Sequence, residues 1–278
     1  MKEEKLIKGP ITYGADPEVF LINKYTMELV SAIEVIKGTK EKPLKVQEGY
    51  LLSHDNVAAE FTIRPSLTLK EFQANMERGI WCLNSVLPDN LELSIESSTY
   101  FDETQLQSSE AKKFGCSPDF NAWKESKNKV PNASKSNLRS AGAHVHIGFT
   151  NNAENFDRIE KMDVVIRFIK SLDIFLGVES VLLDKDTQRR KLYGQAGCFR
   201  IRPFGLEYRS LGNFWIKNPK GIRWVYNGIK KAINFVNNFE EITIEDESII
   251  QNCINTYDKV TAGYLLDKYR QVKVLETV

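Results

Sequence analysis

Four segments of this 278-residue chain carry charged side chains at even spacing. Asp16 and Glu18 lie in YGADPEVFL, Glu60 and Arg64 in AAEFTIR, His144 and His146 in AGAHVHIGF, and Glu207 and Arg209 in GLEYRSLG. Side chains two apart on a strand share a face. Each segment read as a strand therefore has one apolar side (Ala15, Val19 and Leu21; Ala59, Phe61 and Ile63; Val145 and Ile147; Leu206 and Tyr208) and one charged side. If the four strands share a sheet, its charged face gathers four carboxylates, two imidazoles and two guanidiniums. Carboxylates with a histidine or two select hard divalent cations, Mg2+ or Mn2+ rather than zinc. Arginines on the same face call for an anion, and a polyphosphate bridged by the cations answers both needs. A water-facing sheet would also be polar on one side, but such faces favour Lys, Thr and Ser. This one is rich in carboxylate and holds two of the chain's three histidines.

The elements that must position these residues can be read from periodicity. Alternating runs predict strands at 12–22, 46–52, 57–64 and 91–100. A helix is predicted to begin near Thr68 with Glu71 as its capping-box partner, to bury Phe72, Met76, Ile80 and Leu83, and to end at Pro88. Further strands are predicted at 143–149 and 205–211. Between them a helix starts near Asp157 and carries Met162, Val165, Ile169, Leu172 and Leu176 on one face. Pro219 opens a helical C-terminal part over about 217–278, and a polar insertion spans about 102–140. Two strands per helix and alternating apolar positions predict an α+β fold: a curved, largely antiparallel sheet with one charged concave face and helices on the other, in a single catalytic domain of residues 1–278.

Composition narrows the classes. A net charge of +1 gives no global drive toward nucleic acid or anionic membrane, and the four cysteines are too scattered for a disulfide framework or a zinc knuckle. No long apolar run and no signal-like N-terminus is visible, which predicts a soluble cytoplasmic protein. Neither G-x-x-x-x-G-K-[ST] nor G-x-G-x-x-G occurs, so any nucleotide must be held by the sheet's own charges. Arg200 and Arg202 share a face of CFRIRPFG and, with Arg189 and Arg190, are candidates to hold a carboxylate or phosphate. His54 is expected at the surface or supporting its neighbour Asp55. A catalytic role for Cys116 is not supported, since no neighbouring base can be argued.

The segments YGADPEVFL, HDNVAAEFTIRPS, GAHVHIGF and GLEYRSLGNFW, in that order, resemble the phage-encoded carboxylate-amine ligases related to glutamate-cysteine ligase and, more distantly, glutamine synthetase. The resemblance runs from about Tyr13 to Trp215. It implies metal ligation by Asp16, Glu18, Asp55, Glu60, His144 and Glu207, with His146 as a possible addition and Arg209 on the nucleotide phosphates. Asp16 departs from the Glu common in relatives outside the phage group. The implied reaction is ATP-dependent amide or peptide bond formation through an acyl phosphate, with Mg2+ or Mn2+, on a small-molecule or peptide carboxylate and amine, in a host cytoplasm if the protein is phage-encoded. Two other readings stay open: a metal-dependent hydrolase built on the His-x-His and carboxylates, and a non-catalytic binding protein on the same fold. The acid, the amine and the oligomeric state are not legible.

Overall fold

The computed structural model describes residues 6–112, 119–129, 136–149 and 162–270. Its strands are β1 (Ile11–Asn23), β2 (Leu29–Val30), β3 (Leu44–Gln47), β4 (Tyr50–Asp55), β5 (Ala58–Thr62), β6 (Leu91–Ser94), β7 (Ser98–Tyr100), β8 (Phe120–Asn121), β9 (Ser126–Lys127), β10 (Leu138–Ser140), β11 (Ala143–Phe149), β12 (Cys198–Arg202) and β13 (Gly205–Tyr208). Its helices are α1 (Leu69–Asn84), α2 (Met162–Leu172), α3 (Glu179–Leu183), α4 (Arg189–Leu192), α5 (Pro219–Asn237), α6 (Ile244–Thr256) and α7 (Lys259–Tyr269). The large sheet runs β3-β4-β5-β1-β11-β13-β12-β8-β9, with β2 and β6 joined to the far end of β1, and its pairs are antiparallel. The α+β class expected from the alternation holds.

The two faces separate as the alternation requires. Ala15, Val19, Leu21, Phe61, Val145, Ile147, Leu206 and Tyr208 enter one core cluster with Phe72 and Met76 of α1, Val165 and Ile169 of α2, and Val225 and Ile229 of α5. Burying each such aliphatic side chain contributes about 1.5–3 kcal/mol, and this fixes which side of the sheet faces the helices. The helix starts follow from capping. Thr68 and Glu71 form the reciprocal capping box of α1. At α5, Asn218 accepts from the backbone N–H groups of Lys220 and Gly221, with Pro219 at the first helical position.

Three expectations change. The run 46–52 is a hairpin rather than one strand, because Gly49 turns the chain at φ +78°, where a Cβ would lie 2.2 Å from Arg64 Cγ. The run 91–100 divides: β6 pairs with β1, whereas β7 pairs with β10 in a separate two-stranded sheet. The helix predicted through Leu176 widens into a π-helical turn at Asp173–Val178, and its expected start at Asp157 lies outside the described residues. The polar stretch is not wholly polar in use. Leu106 and Ala111 pack with Phe20, Val57, Ala58, Phe101 and Ala141 in a second, smaller core on the Phe20 side of β1. Among the described residues no helix is long and apolar enough to cross a membrane.

Candidate active site

Strand register converts the sequence pattern into distances. Asp16 lies opposite His144 and Glu18 opposite Glu60; His146 lies opposite Glu207, which in turn lies opposite Arg200. Asp55 ends β4 on the same face as Ser53, whose partner is Glu60. Two groups result. Asp16, His146 and Glu207 bring potential ligand atoms within 4.8 Å of one another, and so do Glu18, Asp55 and Glu60. The sets are dominated by oxygen, with five carboxylates and one imidazole between them. That donor chemistry fits Mg2+ or Mn2+.

His144 stands between the groups. Its Nδ1 is 3.2 Å from Asp16 Oδ1 and 3.7 Å from Glu207 Oε1, while His146 Nε2 is 3.3 Å from Asp16 Oδ2. Burial works to raise the Asp16 carboxyl, but His146 and His144 outweigh it and hold that carboxyl well below the usual carboxylate range. Burial likewise works to lower the His146 imidazole, and Asp16 reverses this. The second group behaves oppositely. Burial raises the Glu60 carboxyl well above the usual range, helped by Asp16, Asp55 and Glu18. Burial also raises Glu18, against the opposing His144 charge and the 2.7 Å hydrogen bond that the Gly142 N–H donates to Glu18 Oε2. Lys40 pairs with Asp55 at the edge of this group.

Arg209 is buried on the same face. It contacts Glu207 through Nη1, sets Nε 2.8 Å from Asp119 Oδ1, and holds Nη1 3.2 Å from His144 Nδ1. Arg200 Nε lies 3.2 Å from Asp119, and Arg202 contacts Glu207. Burial and Asp16 both act to raise the Glu207 carboxyl, yet Arg209, His144 and His146 carry it below its ordinary value.

Of the expected residues, Asp16, Glu18, Asp55, Glu60, His144, His146, Glu207, Arg209, Arg200 and Arg202 come together. Arg64 and Arg190 do not. Arg64 follows the end of β5, is exposed, and lays its stem against Gly49. Arg190 turns inward, 3.0 Å from Ser180 Oγ and 5.8 Å from the Tyr257 ring centroid; its neighbour Arg189 lines the cavity instead, beside Glu18, His144 and Arg209. His54 is buried, not superficial: Nδ1 is 3.1 Å from the Ile36 carbonyl and Nε2 is 2.9 Å from Glu110, which ties the insertion to β4. Cys116 lies outside the described residues. Asp119 was not legible, because it precedes a two-residue strand with no periodicity to read.

Behind the sheet, Asp173 steadies this arrangement. Its carboxylate accepts 2.6 Å hydrogen bonds from Tyr208 Oη, between Glu207 and Arg209 in sequence, and from Trp123 Nε1, on the hairpin that follows Asp119. Burial pushes the carboxyl up to about 6, against these hydrogen bonds. A carboxyl raised in the folded state supplies stability that is present below its unfolded value and is lost as pH rises through about 6. Wild type should therefore lose about 2 kcal/mol relative to Asp173→Asn between pH 4 and 7, read from urea unfolding across that range; parallel pH profiles would refute the assignment.

The sequence was compared with known families, curated proteins and solved structures. Residues 140–272 match the family model described as phage phiEco32-like COOH.NH2 ligase-type 2. The matched stretch is just under half of the chain. It contains His144, His146, Arg189, Glu207 and Arg209. No curated protein matches the chain. The fold is similar to the crystal structure of a bifunctional glutathione synthetase from Pasteurella multocida, with a TM-score of 0.57 and 10% identity over 94% of this chain and 45% of the other. The chain thus spans less than half the length of that protein, and at this identity the likeness concerns the fold. The carboxylate-amine ligase family that the four motifs resemble is the one the family model returns.

Proposed function

We propose that the chain is an ATP-dependent carboxylate-amine ligase, with a fold of the glutamate-cysteine ligase and glutamine synthetase kind acting as one catalytic domain over residues 1–278. The observation that carries this reading is the pair of cation-ready groups on one sheet face, Asp16/His146/Glu207 and Glu18/Asp55/Glu60, flanked by Arg209, Arg200 and Arg202.

Bound Mg2+ or Mn2+, held by those two groups with His144 between them, would supply charge neutralisation of the triphosphate oxygens. The other roles fall to the chain. Arg209, fixed by Asp119, faces the transferring phosphoryl group, where a preorganised guanidinium meets developing negative charge without reorganising. The substrate carboxylate oxygen attacks the γ-phosphorus and ADP departs, leaving an acyl phosphate. The amine then attacks the carbonyl carbon, orthophosphate leaves, and the nitrogen gives up a proton. Asn56 and Arg139 line the cavity and are held by hydrogen bonds that they donate to the Glu110 and Ala111 carbonyls.

Calorimetry with ATP, with and without Mg2+, tests the reading without knowledge of the acid or amine. The wild type should bind ATP only with the cation, and Glu207→Gln, which keeps the side-chain shape, should weaken binding by about tenfold or more. Absence of ATP binding at millimolar concentration with either cation would overturn the ligase reading and leave metal-only hydrolysis as the reaction to assay.

A further inference from the structure

Among the described residues the Arg189 guanidinium has no carboxylate oxygen within ion-pair distance, although Glu18 and Asp119 act on it from farther away. Arg209, Arg200 and Arg202 each reach Asp119 or Glu207. Arg189 is only 4% exposed and lines the same cavity. Its Nη2 donates one 3.3 Å hydrogen bond to the Arg209 carbonyl, while Nε and Nη1 find no hydrogen-bond partner among the described residues. An arginine keeps its charge in a protein, so its burial carries a desolvation cost that Glu18 and Asp119 offset only from a distance. The surroundings hold the group in place despite that cost. A Cβ on Gly142 would lie 2.4 Å from Arg189 Nη2 and 2.7 Å from His144 Nε2, and a Cβ on Gly194, at φ +75°, would lie 3.0 Å from Nη1. Two glycines therefore leave the guanidinium its slot, next to His144 and the Glu18 carboxylate.

We infer that Arg189 is an oxyanion subsite of this cavity, taking a carboxylate or phosphoryl oxygen of a substrate beside Glu18 and His144. The planar fork matches either anion through two parallel N–H bonds, and binding would relieve the unpaired charge. The inference depends on the ligase reading only for the two sources of the anion: a nucleotide phosphate, or a carboxylate of the acid substrate.

The test uses the full chain with Arg189→Met and Arg189→Lys. Three quantities are read: the thermal midpoint without ligand, the Kd of Mg2+·ATP, and the stabilisation given by orthophosphate, sulfate and a panel of amino acids and dicarboxylic acids with Mg2+. Because the residue carries an unpaired buried charge, Arg189→Met should unfold at or above the wild-type midpoint. A phosphate source predicts Mg2+·ATP binding weaker by about ten- to a hundredfold, with acid-induced stabilisation retained. A carboxylate source predicts loss of that stabilisation with Mg2+·ATP binding unchanged. In either case Arg189→Lys should recover only part, since a point charge cannot reproduce the fork. The inference is overturned if Arg189→Met unfolds earlier than wild type or does not fold, if both ligand readouts stay within about twofold of wild type, or if no oxyanion stabilises the wild type. Failure of the ligase reading looks different: the wild type then binds no Mg2+·ATP while the acid and sulfate readings still respond to Arg189.

Discussion

Arg209→Ala should lower the unfolding free energy by about 3 kcal/mol at neutral pH, because it leaves the buried Glu207 and Asp119 carboxylates short of their counter-charge. Arg200 and Arg202 remain beside these acids, which keeps the loss from growing larger. The pH dependence has a definite sign. Burial and Asp16 push the Glu207 carboxyl up, but Arg209 leads the groups that bring it below its ordinary value. Such a carboxylate contributes stability that is present above its unfolded value and is lost as pH falls through its folded value. The difference between wild type and Arg209→Ala should therefore shrink in acid. Mg2+ should restore part of the lost stability by neutralising the freed carboxylates, and Mg2+·ATP binding should still weaken by more than about tenfold. Urea unfolding with and without Mg2+, followed by calorimetry, measures both. A loss below about 1 kcal/mol would mean that the Arg209 network does not organise the site.

The second large effect runs the other way. Glu60→Gln should stabilise the cation-free protein at neutral pH by on the order of 1–2 kcal/mol while reducing the response to Mg2+. Burial, then Asp16, Asp55 and Glu18, raise the Glu60 carboxyl, so its contribution is favourable in acid and is lost as pH rises through the folded value. Glutamine keeps the side-chain shape and the Ser53 Oγ contact at 3.4 Å without the charge. The order of stabilities should invert when Mg2+ is added, since only the wild type keeps three carboxylates in that group. Equal Mg2+-induced shifts in both proteins would show that Glu18, Asp55 and Glu60 do not form a cation site.

Sidedness was legible wherever a strand ran long enough for its period of two to apply. Asp16 with Glu18, His144 with His146, and Glu207 beside its apolar neighbours all face as the alternation requires, since a one-residue slip would put Val19 or Val145 in the charged cavity. Where the regular element stops, so does the inference. Arg64 lies beyond the end of β5 at Thr62, so parity with Glu60 no longer sets its direction. Arg189 and Arg190 share one short helical turn, on which adjacent residues point about 100° apart, and nothing local decides which of them faces the cavity.

Asp55 came from family resemblance and Asp119 from neither source, because both lie at strand ends or in loops. What the sequence determined by itself was the charge of one sheet face, the helix caps and the resemblance of the motifs to a ligase family. What only the tertiary structure decided was grouping. Glu18 meets Glu60, and His146 meets Glu207, through antiparallel register between distant segments, and the cation-ready triads exist only once those strands pair. Long-range register is set by burial of the whole apolar face at once, a collective property that no single segment carries.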